Sequence, residues 1–131
     1  MADWEPSPFN RLVGATVLRR SAERSEAELI VREELCNRRR VMHGGAVMAW
    51  ADTMGGMTAS AGLAKGHRTA TIESKTNFFA PIPMHDKARA VCTPLHSGRS
   101  TIVLQTSITR GDGKLAAQIT QTQIVLPVKD K

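Results

Sequence analysis

The stretch from residue 45 to residue 63 constrains the fold more than any other part of this chain. It has the length of a long helix, and nearly all of its residues are small or apolar. Gly62, followed by Lys65 and Gly66, supplies the stop signals expected at a helix C-terminus. A helix that is apolar on nearly all sides is usually buried on all sides, whereas a single sheet covers only one side. The uncovered side must therefore contact a second subunit or a ligand.

A single carboxylate, Asp52, interrupts this apolar helix. An ionised carboxylate in apolar surroundings is costly unless another group pairs with it or a reaction uses it. His43, Gly44 and Gly45 stand where the helix begins, so its N-terminus offers free backbone N–H groups to an oxygen atom. A carboxylate and an oxygen-polarising N-terminus are two components of acyl-transfer sites. The alternative is a structural carboxylate paired with an arginine.

The rest of the chain has the pattern of an antiparallel sheet. Two strands joined as a hairpin are predicted before the helix and four strands after it, separated by turns rich in Pro and Gly. The predicted strands cover residues 16–20, 26–33, 69–79, 87–95, 100–109 and 115–126. A flexible lead is predicted over residues 1–8 and a short helical turn over residues 9–13. This order indicates the α+β class, and 131 residues fit a single domain, residues 1–131.

Composition narrows the functional classes. The net charge of +6 would suit nucleic acid or a phosphorylated ligand, but only Arg38–Arg40 cluster and only 4% of the residues are aromatic. We therefore expect no nucleic-acid partner. Cys36 and Cys92 show no metal-ligand spacing and form no disulfide framework, so no metal is expected. The N-terminus lacks a secretory signal and no apolar run reaches transmembrane length, which favours a cytoplasmic protein without a membrane partner.

Several residues, in this order along the chain, resemble a known family. Asn37, the run from His43 to Gly45, and Asp52 are similar to the motif of the hotdog-fold acyl-CoA thioesterases, in particular the phenylacetyl-CoA thioesterase branch. The strand end Phe79–Pro81 and the turn Gly98–Ser100 also fit that family. The resemblance implies a hotdog fold, in which a curved antiparallel sheet of about six strands wraps around one long central helix and pairs across a dimer.

The resemblance also implies roles for individual residues. Asp52 is expected to act as the nucleophile or as the base for a water molecule, and the Gly44 N–H to bind the thioester carbonyl. Asn37 and His43 are expected to orient the carbonyl or the water, and Thr71 to help hold that water. The residues expected to contact coenzyme A are Phe79, Ala80, Pro81, Ser97, Gly98, Arg99 and Ser100.

Most of these residues have a structural alternative. His43 could serve only to cap the helix, and Asn37 only to form a turn. The two glycines could be present only for close packing or special backbone angles. Arg99, beside a glycine turn, fits a phosphate ligand and a surface charge equally well.

Gly44 and Asp52 are eight residues apart, which on one helix corresponds to about 12 Å of rise. The attacked carbon lies only about 1.2 Å from the carbonyl oxygen that Gly44 would bind. Asp52 of the same chain should therefore not reach that carbon, and a second copy with an antiparallel helix has to supply the carboxylate. We expect an obligate homodimer, with two dimers forming a tetramer.

The predicted reaction is hydrolysis of an acyl-CoA thioester to a carboxylic acid and coenzyme A. Coenzyme A is then part of the substrate, and no separate cofactor is expected. The apolar lining favours aryl or medium-chain acyl groups. Two alternatives stay open: another acyl-thioester reaction on the same fold, such as hydration of an enoyl-CoA, and a non-catalytic acyl-CoA-binding protein.

Overall fold

A computed structural model describes residues 4–129 of the chain. The short helix α1 covers Pro8–Val13 and the long helix α2 covers Gly44–Ala61, with a 3₁₀ turn at Glu33–Leu35 between them. The strands are β1 (Thr16–Arg19), β2 (Ser25–Ile30), β3 (His67–Phe78), β4 (Lys87–Ser97), β5 (Thr101–Thr109) and β6 (Leu115–Pro127). The predicted order of two strands, one long helix and four strands is confirmed.

The six strands form one antiparallel sheet in the order β1-β2-β4-β5-β6-β3. β4, β5 and β6 follow one another through short turns, and Gly113 in the second turn has φ +88°, a conformation that favours glycine. The register shifts within several strand pairs, for example between Thr71 and Glu73, and such bulges bend and twist a sheet. With α2 packed against this sheet, the predicted hotdog fold and α+β class are confirmed.

The core lies between α2 and the inward face of the sheet. Side chains alternate along each strand, so that every second residue of β2, β5 and β6 is buried. The largest apolar side chains of this core are Trp50 and Met54 from α2, and Leu29, Leu104, Ile108 and Ile119 from the sheet. α2 is thereby fixed on one side by packing, which determines what its other side presents.

One stripe of α2 faces away from the sheet. Gly45, Met48 and Asp52 are exposed on it, and Thr53 and Gly56 are only partly buried. Their spacing of three to four residues corresponds to one face of a helix. This is the uncovered side that the sequence predicts. Within residues 4–129, no helix combines the length and the apolar character needed to cross a membrane.

The boundaries of several elements differ from the predicted ones by a few residues. β2 ends at Ile30, earlier than predicted, although the Val31 N–H still donates a hydrogen bond to the Asp86 carbonyl. β6 continues to Pro127, which stands at the last pair of the β3–β6 ladder. Within the predicted lead, Trp4 packs against the core, and residues 1–3 lie outside the described residues.

Candidate active site

The N-terminus of α2 presents a backbone N–H without an acceptor among the described residues. His43 is the N-cap, and its Nδ1 accepts a hydrogen bond from the Gly45 N–H at 2.8 Å. The His43 carbonyl oxygen accepts hydrogen bonds from the N–H groups of Ala46 and Val47. The Gly44 N–H is the remaining donor of this turn, at the end of the helix where the macrodipole is positive. It is therefore available to polarise a carbonyl oxygen.

The cap also determines where a neutral His43 carries its proton. Because Nδ1 accepts the hydrogen bond from Gly45, the proton is on Nε2. The ring lies so close to the helix that a Cβ at Gly45 would be 3.0 Å from Nδ1. The structural role considered for His43, a helix cap, is present, and its Nε2–H is a second donor beside Gly44.

A cavity of about 310 Å³ adjoins Gly44, and we call it the Gly44 cavity. It brings Gly44 together with Phe79–Pro81, three of the residues expected to contact coenzyme A. The Phe78 ring lies against the helix start, since a Cβ on Gly44 would be 3.4 Å from its Cζ. The Ala116 carbonyl accepts hydrogen bonds from the Phe79 and Ala80 N–H groups at 2.8 and 3.2 Å and so ties this strand end to β6.

Asp52 lies about two turns further along α2 and lines a different cavity, of about 560 Å³, which we call the Asp52 cavity. Thr71 lines the same cavity, and its Oγ1 donates a hydrogen bond to Asp52 Oδ1 at 2.7 Å. The carboxylate is exposed in the single chain. Among the described residues of this chain, no arginine forms an ion pair with it.

Two glutamines behind Thr71 belong to this site and are missed by the sequence analysis. Gln123 Nε2 donates to Thr71 Oγ1 at 2.6 Å and to Gln121 Oε1 at 2.7 Å. Gln121 Nε2 in turn donates to the Ala51 carbonyl at 2.9 Å. The sequence does contain a signal, because Ile119, Gln121 and Gln123 alternate on β6 and so share its inward face. Two amides on a core face are as exceptional as a carboxylate in an apolar helix.

Asn37 stands apart from both cavities in a tight turn. Its Oδ1 accepts a hydrogen bond from the Arg39 N–H at 2.9 Å, and its carbonyl accepts one from the Arg40 N–H. Arg40 has φ +63°, as such a turn requires. Asn37 does not line the Gly44 cavity or the Asp52 cavity as the structure describes them. In a single chain, its turn-forming role is the one that is visible.

The turn between β4 and β5 lies at the other end of α2. Ser97, Gly98 and Arg99 line a third cavity, of about 580 Å³, together with residues of the C-terminal end of α2 such as Gly62. The turn is closed by a hydrogen bond from the Gly98 N–H to the Thr101 carbonyl at 2.8 Å. We call the cavity that this turn lines the hairpin cavity. Most predicted site residues of one chain are therefore divided among three cavities, with Asn37 in its turn. His43, the cap of α2, and Ser100, which follows Arg99, line none of these three cavities.

Other chemistries find little support in the described part of the chain. Burial raises the pKa of the Cys36 thiol, and the negative charge of Glu33 raises it further. The thiol therefore stays protonated at neutral pH and is a poor nucleophile. Among residues 4–129 no group of three or more His, Cys, Asp or Glu side chains could hold a metal ion.

Comparison with known proteins gives a family match. The model of the thioesterase superfamily matches residues 40–117, which include Gly44, Asp52, Thr71 and Phe79–Pro81. No curated protein matches the chain. Among solved structures, the conserved protein PA5202 from Pseudomonas aeruginosa is 30% identical, with a TM-score of 0.84 over 92% of this chain and 94% of that chain.

Two further solved structures share the fold at lower identity. A mutant of the phenylacetic acid degradation protein PaaI from Thermus thermophilus is 21% identical, with a TM-score of 0.82 over 90% of this chain and 98% of that chain. The protein smu.793 from Streptococcus mutans, bound to acetyl CoA, is 19% identical, with a TM-score of 0.81 over 89% of this chain and 92% of that chain.

We predict that His43→Ala lowers the free energy of unfolding by about 1 kcal/mol, because the Gly45 N–H loses its acceptor. His43→Asn should recover most of that loss, because asparagine is a good N-cap residue. Urea denaturation of the wild type and both variants measures the difference. Equal stability of His43→Ala and the wild type would contradict the cap.

Proposed function

The chain belongs to the thioesterase superfamily, and from that premise we propose that it hydrolyses an acyl-CoA thioester to a carboxylic acid and coenzyme A. The observation that carries the proposal is the pairing, on one helix, of an unbonded Gly44 N–H at the start with a carboxylate, Asp52, two turns later. No other carboxylate lies on α2. The two groups are an oxyanion donor and a nucleophile or base, which are what thioester hydrolysis needs.

Gly44 acts on the carbonyl oxygen. As the thioester carbon becomes tetrahedral, negative charge develops on that oxygen, and the Gly44 N–H and the helix dipole stabilise it. A single donor of this kind typically contributes a factor of about 10² to 10³ in rate. The His43 Nε2–H lies next to this donor in the sequence and can orient the carbonyl or the water.

Asp52 supplies the attack, in one of two ways. As a nucleophile, it adds to the carbonyl carbon, the C–S bond breaks, coenzyme A leaves as a thiolate, and water hydrolyses the resulting anhydride. As a general base, it takes a proton from water while the hydroxide adds to the carbonyl carbon; the C–S bond then breaks, and coenzyme A leaves as a thiolate that takes up that proton. Thr71, which donates to Asp52 Oδ1, holds the carboxylate in either case.

A dimer with antiparallel α2 helices would complete the site. Gly44 and Asp52 of one chain lie in different cavities, about 12 Å apart along the helix axis. The exposed α2 stripe, which includes Met48, needs a cover, and so does β3, an edge strand on which Ile72 is 58% exposed. A two-fold axis across these surfaces would bring Gly44 of one subunit to Asp52 of the partner subunit. Exposed Ile30 and Leu95 on other strands support a further association of two dimers into a tetramer.

The same symmetry would assemble a coenzyme A site. With antiparallel helices, the hairpin cavity at the end of α2 in one subunit would lie about 15 Å along the helix axis from the Gly44 cavity of the other, a distance that an extended ligand would span. Phe79–Pro81 would then contact the pantetheine arm, and Arg99 the nucleotide phosphates, together with the other residues of its turn. The structure of smu.793 with acetyl CoA supports a coenzyme A ligand on this fold.

The acyl group is proposed to occupy the Asp52 cavity. Among polar neighbours such as Ser60 and Thr69, Trp4 and Phe9 contribute apolar surfaces to its lining. Such surfaces pack well against aromatic rings and alkyl chains, which supports aryl or medium-chain acyl groups.

A cytoplasmic location is supported by two free cysteines, Cys36 and Cys92.

We predict that Asp52→Asn lowers kcat about a thousandfold or more while acyl-CoA still binds. Asparagine keeps the shape and can still accept from Thr71, but it is neither nucleophile nor base. Asp112→Asn is the matched control, because Asp112 pairs with Arg110 on the surface. A panel of aryl- and alkyl-CoA esters with a thiol-detecting reagent measures turnover.

The same panel separates the alternatives. An acyl-CoA-binding protein would show saturable binding of the ester with no free thiol from the wild type. With an enoyl-CoA added to the panel, a hydratase would lower the absorbance of the enoyl group without releasing thiol. Near-normal thiol release by folded Asp52→Asn would contradict the assignment of Asp52.

We predict that two inactive variants, Asp52→Asn and Gly44→Pro, complement each other in mixed dimers. Proline is tolerated at the first helical position, and His43 already has φ −60° and ψ 135°, which suit the residue before a proline. In a mixed dimer with shared sites, one site carries both changes and the other neither. Random pairing should therefore restore about a quarter of wild-type activity on co-expression.

The control for this experiment is each variant expressed alone, which should be inactive and folded. Mass spectrometry verifies that mixed dimers have formed. If mixed dimers are present and no activity returns, Gly44 and Asp52 act within one chain and the proposed geometry is wrong.

A further inference from the structure

Two glutamines occupy core positions of β6 beside the candidate site. Gln121 and Gln123 are each 1% exposed and stand in line with Ile119 on the inward face. Burying an amide is unfavourable unless its hydrogen-bonding groups find partners, and an apolar residue would fill these positions without that requirement. The two side chains are held by hydrogen bonds to each other, to Thr71 and to the Ala51 carbonyl.

α2 lacks a side chain at the point where Gln121 packs. A Cβ at Gly55 would lie 2.2 Å from both Cδ and Nε2 of Gln121, which is a severe overlap. A glycine inside a helix is unfavourable compared with alanine. Gly55 and Gln121 therefore depend on each other. The glycine lowers the stability of the helix, and the buried amide lowers the stability of the sheet's inward face.

The Ala51 backbone carbonyl determines the direction of each hydrogen bond in the series that links it through the two glutamines and Thr71 to Asp52. The Ala51 carbonyl can only accept, so Gln121 presents its NH₂ group there and its Oε1 towards Gln123. Gln121 Oε1 can only accept as well, so Gln123 presents its NH₂ group to both Gln121 and Thr71. Thr71 Oγ1 thus receives one hydrogen bond and has its own proton left to donate, which Asp52 Oδ1 accepts.

We infer that Gln121 and Gln123 are positioning residues for Asp52 in the proposed thioester hydrolysis. Through Thr71 they hold the carboxylate in one orientation. Asp52 Oδ1 is bonded to the hydroxyl, and Oδ2, which has no partner among the described residues, is left for the water or the carbonyl carbon. Gly55 provides the space that lets Gln121 reach the Ala51 carbonyl. This role rests on the proposed function.

The test replaces each glutamine with methionine, which has a similar size and no amide. We expect Gln121→Met and Gln123→Met each to lower kcat about tenfold with KM changed less than about twofold, because the carboxylate loses its orientation and the substrate contacts remain. Gln118→Met is the matched control on the same strand. Gln118 bonds to Ser107 on the other face, so its loss should leave kcat unchanged.

A double-mutant cycle separates positioning from general support of the fold. Thr71→Val removes the hydroxyl and keeps the size, and in that background the two methionine substitutions should change kcat by less than about twofold. Thr71→Ser keeps the hydroxyl and should leave the effect of each glutamine substitution intact. Losses that multiply in the Thr71→Val background would overturn the inference, and so would variants with a lower melting temperature and wild-type kcat.

The outcome also distinguishes this inference from the proposed function. A wild type that releases no thiol from any acyl-CoA would contradict the function and the positioning role together. An active wild type, inactivated by Asp52→Asn but indifferent to both glutamine substitutions, would contradict the positioning role alone.

Discussion

A rigid helix fixes the distance between the two groups to which we assign the chemistry, the Gly44 N–H and the Asp52 carboxylate. α2 runs without interruption from Gly44 to Ala61, so its first N–H and the Asp52 carboxylate are held about 12 Å apart along the axis. No side-chain rearrangement closes such a gap. In the dimer that we propose, the uncovered stripe of α2, the exposed edge strand β3 and the division of the predicted site residues among separate cavities would be features of one half of a shared site.

The glycines of α2 serve different purposes in the fold. Together they explain why this helix depends on its packing within the folded protein. Gly45 lets the His43 ring cap the helix, because a Cβ there would lie 3.0 Å from Nδ1. Gly55 accepts the buried side chain of Gln121. Each glycine weakens the helix in isolation, so α2 depends on tertiary packing more than on intrinsic propensity.

Much of this could be predicted from the sequence, because it depends on local patterns. The order of the elements and the limits of α2 to within two residues agree with the expectations from periodicity, turn residues and family resemblance. Thr71, which is expected to help hold the water, donates a hydrogen bond to Asp52 beside a bulge on β3, and the sequence analysis does not predict this contact.

The hydrogen-bond chain through Gln121 and Gln123 could not be predicted in the same way. It depends on which residue of β6 crosses which turn of α2, and that register is set by packing across the whole core rather than by local sequence. Asn37 is the opposite case. Its turn is a local structure that the sequence suggests. A contact between Asn37 and the reacting centre would depend on the proposed assembly of subunits.

The most direct test of the central claim is a crystal structure of the protein with a non-hydrolysable acyl-CoA analogue that retains the carbonyl group. The account predicts that the carbonyl oxygen lies about 3 Å from the Gly44 nitrogen of one subunit, with Asp52 of the partner subunit as the nearest carboxylate to the carbonyl carbon. A carbonyl group that approaches Asp52 and Gly44 of the same chain, or one bound away from the start of α2, would contradict it.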